Sequence, residues 1–251
     1  MLIKEKKHSK EDLVYQTFCL QKCDDDFIIL DDCTTEITKE VNEIFNLIKK
    51  FGYQLKVIDC RKYSIDIVRI IKEKNINFDT VVLAGTGGKQ VFESIKDDLI
   101  FNDKNIYSLK WNREWENDIS LGFDTDIDKY DFKDKNVIIV EDVIASGNTL
   151  WTMKKEIEKL NGKVNAIFSI LIQESSPLIN NSFCPIYSII TIKKPKDETL
   201  DPFWYPPIYS LRHLLYGDSE MPSIYKLLNN KYFNNSDEIE CAIKKLRKDI
   251  K

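Results

Sequence analysis

The sequence predicts an α/β fold, a mostly parallel sheet flanked by helices, and three observations carry that expectation. Val137 to Val140 form an unbroken apolar, largely β-branched run, as in a strand buried on both faces. Asp79-Thr80-Val81-Val82-Leu83-Ala84 is a second short apolar strand, and it runs into Gly85-Thr86-Gly87-Gly88-Lys89 before a helix pattern with Val91, Phe92 and Ile95. Around both, strand-like and helix-like segments alternate, which is the pattern of a parallel sheet.

In chain order, Asp31-Asp32 with Thr34 reads as a strand end and helix cap, because its spacing is wrong for a phosphatase-type acid cluster. Thr34 or Thr35 can cap a helix whose Ile37, Val41, Ile44, Phe45 and Ile48 face a core and which Gly52 closes. A strand is expected over residues 54–58, a helix over about 64–74 and the strand over 79–84. After Val137 to Val140, the spacing of Leu150, Met153, Ile157 and Leu160 describes an amphipathic helix ending at Gly162. Val164 to Ile172 and Ile186 to Ile192 are two further strands, and from about residue 195 the simple alternation stops.

No Gly/Ser/Pro-rich linker, low-complexity tract or internal repeat divides the chain, so a single domain over residues 1–251 is expected. A hydrophobic fraction of 43% is enough to bury a sizeable core. The net charge of −4 argues against a general nucleic-acid binder, which needs a basic face to neutralise phosphates. The local cluster Lys244, Lys245, Arg247 and Lys248 lies opposite Ile243, Leu246 and Ile250, as on the solvated face of a helix. Residues 1–8 and the acids after them contain no apolar run long enough for a signal peptide or membrane span, so a cytoplasmic location is expected. The six cysteines are then expected to stay reduced. Cys19, Cys23 and Cys33 lack a Cys-x-x-Cys pair and a nearby following His, which argues against zinc.

The chemistry concentrates where strands end. Glu141 and Asp142 follow Val140 and so arrive at the carboxyl end of their strand, where open α/β sheets bind ligands. Two adjacent acids there cost desolvation unless a ligand or cation compensates. Ala145, Ser146, Gly147, Asn148 and Thr149 then form a small, hydroxyl-rich turn that opens a helix. A phosphate fits such a place: free N–H groups point outward, the macrodipole favours an anion, hydroxyls add donors and glycine allows close approach. The two carboxylates would repel that phosphate and suit a ribose diol or a hydrated Mg2+ ion instead. Three glycines among residues 85–88 can likewise expose N–H groups to an anion, with Lys89 adding charge, although glycine clusters also serve simply as turns. Residues 104–122 gather Lys110, Trp111, Arg113 and Trp115, either as a solvated hairpin or as cations for phosphate oxygens.

Residues 137–149 read four apolar residues, two acids, two apolar residues, a small residue, Ser, Gly, any residue and Thr. This order resembles the phosphoribosyl pyrophosphate (PRPP) motif of type I phosphoribosyltransferases, with Ser146 in a slot more often held by Thr. The resemblance covers a core of about residues 30–195. It implies that Ala145, Ser146, Gly147, Asn148 and Thr149 cradle the ribose 5-phosphate, that Glu141 and Asp142 hold the ribose hydroxyls, and that Asp142 meets Mg2+. It further implies that Thr86, Gly87, Gly88 and Lys89 bind the pyrophosphate and that residues 104–122 are a mobile lid bringing Lys110 and Arg113 to it. A hood over the acceptor would come from about residues 1–29 and 196–251. Within it Trp204 or Tyr205 would stack on a base and Arg212 or His213 would hydrogen-bond it; the same aromatics and three prolines between Asp201 and Asp218 also suit a braced core.

The implied reaction is displacement of pyrophosphate from C1 of PRPP by a nitrogen acceptor, through a transition state of oxocarbenium character. The acceptor would be a nucleobase or related small molecule. Glu141-Asp142 is similar to the 6-oxopurine branch, whereas Ala145 is similar to the adenine branch, so the acceptor stays unassigned. A regulator that senses PRPP or a nucleotide without turnover, and an enzyme that cleaves a nucleotide N-glycosidic bond, are the alternatives. The resemblance leaves a homo-oligomer or larger assembly open.

Overall fold

Val137, Ile138, Ile139 and Val140 have no solvent exposure, so the run that predicts a doubly covered strand is covered on both faces. The computed structural model describes residues 4–5, 14–21, 26–31, 42, 45–46, 49–50, 54–114, 119–123, 127–144, 147–173, 184–193 and 208–210. Its strands are β1 (Lys4–Glu5), β2 (Val14–Gln21), β3 (Asp26–Asp31), β4 (Gln54–Asp59), β5 (Thr80–Ala84), β6 (Asn105–Leu109), β7 (Trp111–Glu114), β8 (Ile119–Phe123), β9 (Asn136–Ile144), β10 (Lys163–Gln173), β11 (Ile186–Lys193) and β12 (Ile208–Ser210). Three helices are α1 (Cys60–Glu73), α2 (Gly85–Glu93) and α3 (Asn148–Lys159).

The main sheet has the order β1-β2-β11-β10-β9-β5-β6, parallel throughout except for β1. Beside it, β7 and β8 form an antiparallel hairpin. A second compact unit carries a parallel three-stranded sheet of order β12-β3-β4. Two expectations change here. The strand predicted over residues 54–58 forms, but it pairs with β3 rather than entering the main sheet. Conversely, Val14–Gln21, outside the core expected over 30–195, lies in the main sheet beside β11. Its mixed sequence, VYQTFCLQ, has no apolar run to announce such a place.

Helices cover the main sheet according to the direction of each crossover. From β5 the chain passes through α2 to β6 on one side; from β9 it passes through α3 to β10 on the other. Right-handed crossovers in opposite directions put α2 and α3 on opposite faces. On its face, α3 packs Leu150, Met153 and Ile157 against Val82, Val137, Ile139 and Ile167. On the other, α2 buries Val91 and Phe92, and α1 buries Ile67, Val68, Ile70 and Ile71. The Phe92 ring meets Phe101 edge-on at 5.0 Å, closing that layer near the sheet edge. Among the described residues, no helix is long and apolar enough to cross a membrane.

The end of α3 differs from its expected glycine stop. Asn161, not Gly162, takes the left-handed turn, at φ 61°. The N–H groups of Asn161 and Gly162 donate to the carbonyls of Glu158 and Ile157, both at 3.1 Å, a Schellman closure. Gly162 answers a need for space: a Cβ there would stand 2.8 Å from Ile157 Cγ2 and 3.1 Å from Phe132 Cβ.

At the amino ends of the central strands a polar clip replaces apolar packing. The Asp79 carboxylate accepts from the Asn136 N–H at 2.8 Å and from its side-chain amide at 3.1 Å. Asn165 Nδ2 donates to Asn136 Oδ1 at 3.1 Å and to the Asn77 carbonyl at 2.9 Å. The Asn136 backbone bond holds the Asp79 carboxyl below its ordinary range; partial burial opposes this, while the Asn136 side chain, Lys104 and Lys135 add to it.

A depressed folded-state value means that Asp79 contributes stability above the unfolded carboxyl range of about 4 and loses it as pH falls through the folded value. Denaturant unfolding of Asp79→Ala should show a loss of about 1–2 kcal/mol at pH 7, with the gap from wild type closing below about pH 4. A gap that stays constant down to about pH 2 would count against the clip.

Candidate active site

The carboxyl end of the main sheet gathers what the sequence singles out. β5 and β9 are neighbours whose following crossovers diverge, so the crevice above them is a topological switch point, where open sheets bind ligands. Both strands lead into helices there. Helix α2 starts at Gly85, directly after Ala84, and α3 starts at Asn148 with Gly147 as its N-cap. Neither start has a side-chain cap or an acid in its first turn. The first-turn N–H groups of a helix have no acceptor within their own helix, the arrangement that suits an anion. Gly147 is buried and has φ 78°, a left-handed conformation that disfavours a side chain.

The register places the acids. Pairing between β5 and β9 ends at Leu83 with Val140, whereas β9 continues beside β10 to Ile144. Glu141 and Asp142 therefore lie beyond the last β5–β9 pair but inside β9, not after its last residue as the apolar run alone suggests. Successive strand residues alternate faces, so the two acids straddle the sheet. Glu141 Oε1 accepts the Asp142 N–H at 3.0 Å, and Asp142 Oδ1 accepts the Val143 N–H at 2.7 Å. Both side chains are half-buried.

Residues 85–89 are not a loop before a helix: they are the first turn of α2 itself. With 3.6 residues per turn, Gly87 and Gly88 face inward and are buried, while Thr86 and Lys89 are exposed. A Cβ at Gly88 would overlap the carbonyl oxygen of Val140, and a Cβ at Gly87 would overlap the carboxylate of Asp142. The glycines thus allow a helix start to lie directly against β9, where the acids emerge.

Lys110 is exposed and follows Leu109, the residue paired with Ala84, so it stands at the same end of the sheet as the acids. Arg113 lies on β7 opposite Ser120 of β8. Residues 105–109, read from sequence as part of a lid, form the edge strand β6; exposed Ile106 beside buried Leu109 obscured its periodicity. Asn148 and Thr149 begin α3, exposed and half-buried respectively. Ala145, Ser146, Trp204, Tyr205, Arg212 and His213 lie outside the described residues.

Buried polar groups on β10 and β11 escaped the sequence reading. Ser169 pairs in register with both Glu141 and Ser188, making a polar row across three strands. Gln173, at the carboxyl end of β10, is 3% exposed, yet its Oε1 and the Ser169 Oγ find no hydrogen-bond partner in the described residues. Their only sequence signal is a polar residue interrupting an apolar strand.

Residues 55–202 match the family model described as a phosphoribosyl transferase domain. Similar solved structures include a purine phosphoribosyltransferase from Pyrococcus horikoshii Ot3, at 21% identity over 56% of this chain and 90% of that one, with a TM-score of 0.41. Another is adenine phosphoribosyl transferase from Trypanosoma brucei in complex with AMP, pyrophosphate and ribose-5-phosphate, at 12% identity over 53% and 64% of the two chains, with a TM-score of 0.43. A third is a hypothetical protein from Neisseria gonorrhoeae with bound ppGpp, at 15% identity over 67% and 90%, with a TM-score of 0.44. No curated protein matches the chain.

The closeness of α2 to β9 is testable without a ligand. Gly88→Ala must push a helix away from a strand carbonyl rather than bend a side chain, so thermal unfolding should show a loss of about 1–3 kcal/mol. An unchanged melting temperature would mean a wider gap.

Proposed function

The chain belongs to the phosphoribosyl transferase domain family, and on that premise we propose that it is an enzyme that transfers the ribose 5-phosphate of PRPP to a nitrogen acceptor, a nucleobase or related small molecule, with release of pyrophosphate. One observation carries the reading: two uncapped helix starts open at the ends of adjacent strands, with the two acids of β9 between them. Anion sites and carboxylates in alternation match a ligand that alternates phosphate, diol and pyrophosphate.

In this proposal the start of α3, with Ser146, Gly147 and Thr149, takes the 5-phosphate. Glu141 and Asp142, one from each face of the sheet, meet the ribose hydroxyls above the end of β9. The first turn of α2 receives the pyrophosphate, with Lys110 and Arg113 adding positive charge. The C1–O bond to pyrophosphate breaks as the C1–N bond forms, and the electron pair leaves with the pyrophosphate oxygen. The helix starts, with Lys110 and Arg113, would stabilise the charge growing on that oxygen, so that positioning and electrostatics do the catalysis without a covalent nucleophile.

The donor set fits Mg2+, which takes one or two carboxylates and completes its shell with substrate oxygens and water. No group of three or more His, Cys, Asp or Glu side chains converges among the described residues, and the Asp142 carboxylate has only its bond from the Val143 N–H there. Asp142 would hold the ion, whose charge would neutralise the leaving pyrophosphate.

Calorimetry of PRPP with and without Mg2+ tests the proposal. Wild type should bind in a Mg-linked manner, and Asp142→Asn should lose about tenfold or more in affinity while keeping its melting temperature. Equal binding by both proteins would remove Asp142 from the site. Binding with no pyrophosphate release from any base in a screen would favour the sensing alternative.

A further inference from the structure

The three glycines of the α2 start are required for three different reasons. Gly85 has φ 59° and open space, with no atom within 4 Å, where a Cβ would stand, so conformation calls for glycine there. Gly88 lies against backbone, the Val140 carbonyl. Gly87 has neither reason: its φ is not positive, and a glycine inside a helix costs about 1 kcal/mol relative to alanine. The three atoms nearest to a Cβ at Gly87 would all belong to one group, the Cγ, Oδ1 and Oδ2 of Asp142.

We infer that Gly87 is a positioning residue: its missing side chain is the seat of the Asp142 carboxylate, so the first turn of α2 decides where that acid stands. The only other hold on the carboxylate among the described residues is the 2.7 Å bond from the adjacent Val143 N–H, which leaves the opposite side to be set by packing. A methyl group at position 87 would meet the far end of a side chain rather than backbone. The helix and strand can stay, and the acid must turn away. The role of Gly87 toward ligand rests on the PRPP reading; the seat itself does not.

A double-mutant cycle separates the two. Without ligand, thermal unfolding is measured for wild type, Gly87→Ala, Asp142→Ala and the double variant. Replacing a helical glycine by alanine where nothing obstructs it raises stability. Gly87→Ala should therefore raise the melting temperature in the Asp142→Ala background and lower it, or leave it unchanged, in the wild-type background. Equal rises in both backgrounds would overturn the seat. In Mg-linked PRPP calorimetry, Gly87→Ala should weaken binding by about tenfold to a hundredfold, and adding it to Asp142→Ala should cost nothing more. Additive losses would make Gly87 a direct ligand contact and overturn its positioning role. If wild type binds no PRPP, the functional proposal fails while the unfolding cycle still decides the seat.

Discussion

The approach of α2 to β9 is the constraint from which the arrangement of the site follows. A helix normally stands off a sheet by the depth of its side chains; here Gly88 removes that spacer against the Val140 carbonyl. The helix can then start at the last residue of β5 without a connecting loop, and its free N–H groups arrive beside the acids of the neighbouring strand. A longer loop or a bulkier residue would set the helix start farther from β9. The start of α2 would then no longer lie against Asp142.

The ladder contributes as much as the helix. Since β5 stops pairing at Leu83 while β10 accompanies β9 for four more residues, a strand supports Glu141 and Asp142 on one flank only, and the start of α2 lies against Asp142. The ladder to β10 fixes the backbone there. Strand alternation then distributes the acids over two faces, so they can act on one molecule only from above the strand's end. Polar Ser169 and Ser188 continue the Glu141 row into the sheet, which makes the interior at that level less apolar than the rows below it.

Much of this was legible from residue pattern. The predominantly apolar runs at 80–84, 137–140, 164–172 and 186–192 all became strands, because burial on both faces favours apolar composition. The acids, Gly147 and the helix after it were placed from the same logic. Legibility failed where the physical reason is tertiary. Glycines that read as a loop are helical, since their purpose is contact with another strand. Val14–Gln21 joins the sheet without an apolar run, and Gln54–Asp59 pairs in another sheet, because partner choice leaves no trace in local periodicity. Asn161 supplies a left-handed turn credited to the glycine beside it, whose own constraint is the side chain of Ile157.

The clip at Asp79, Asn136 and Asn165 lies at the amino ends of β5, β9 and β10, opposite the helix starts. The amino ends of β5 and β9 are therefore tied by side-chain bonds, and their carboxyl ends lead into helix starts, with half-buried carboxylates on β9. Local opening is easiest where the fewest bonds must break together. Amide hydrogen exchange along β9 should accordingly run as a gradient, slowest near Val137 and fastest past Glu141. The sheet can breathe at the carboxyl end of β9 while its register stays locked at the other.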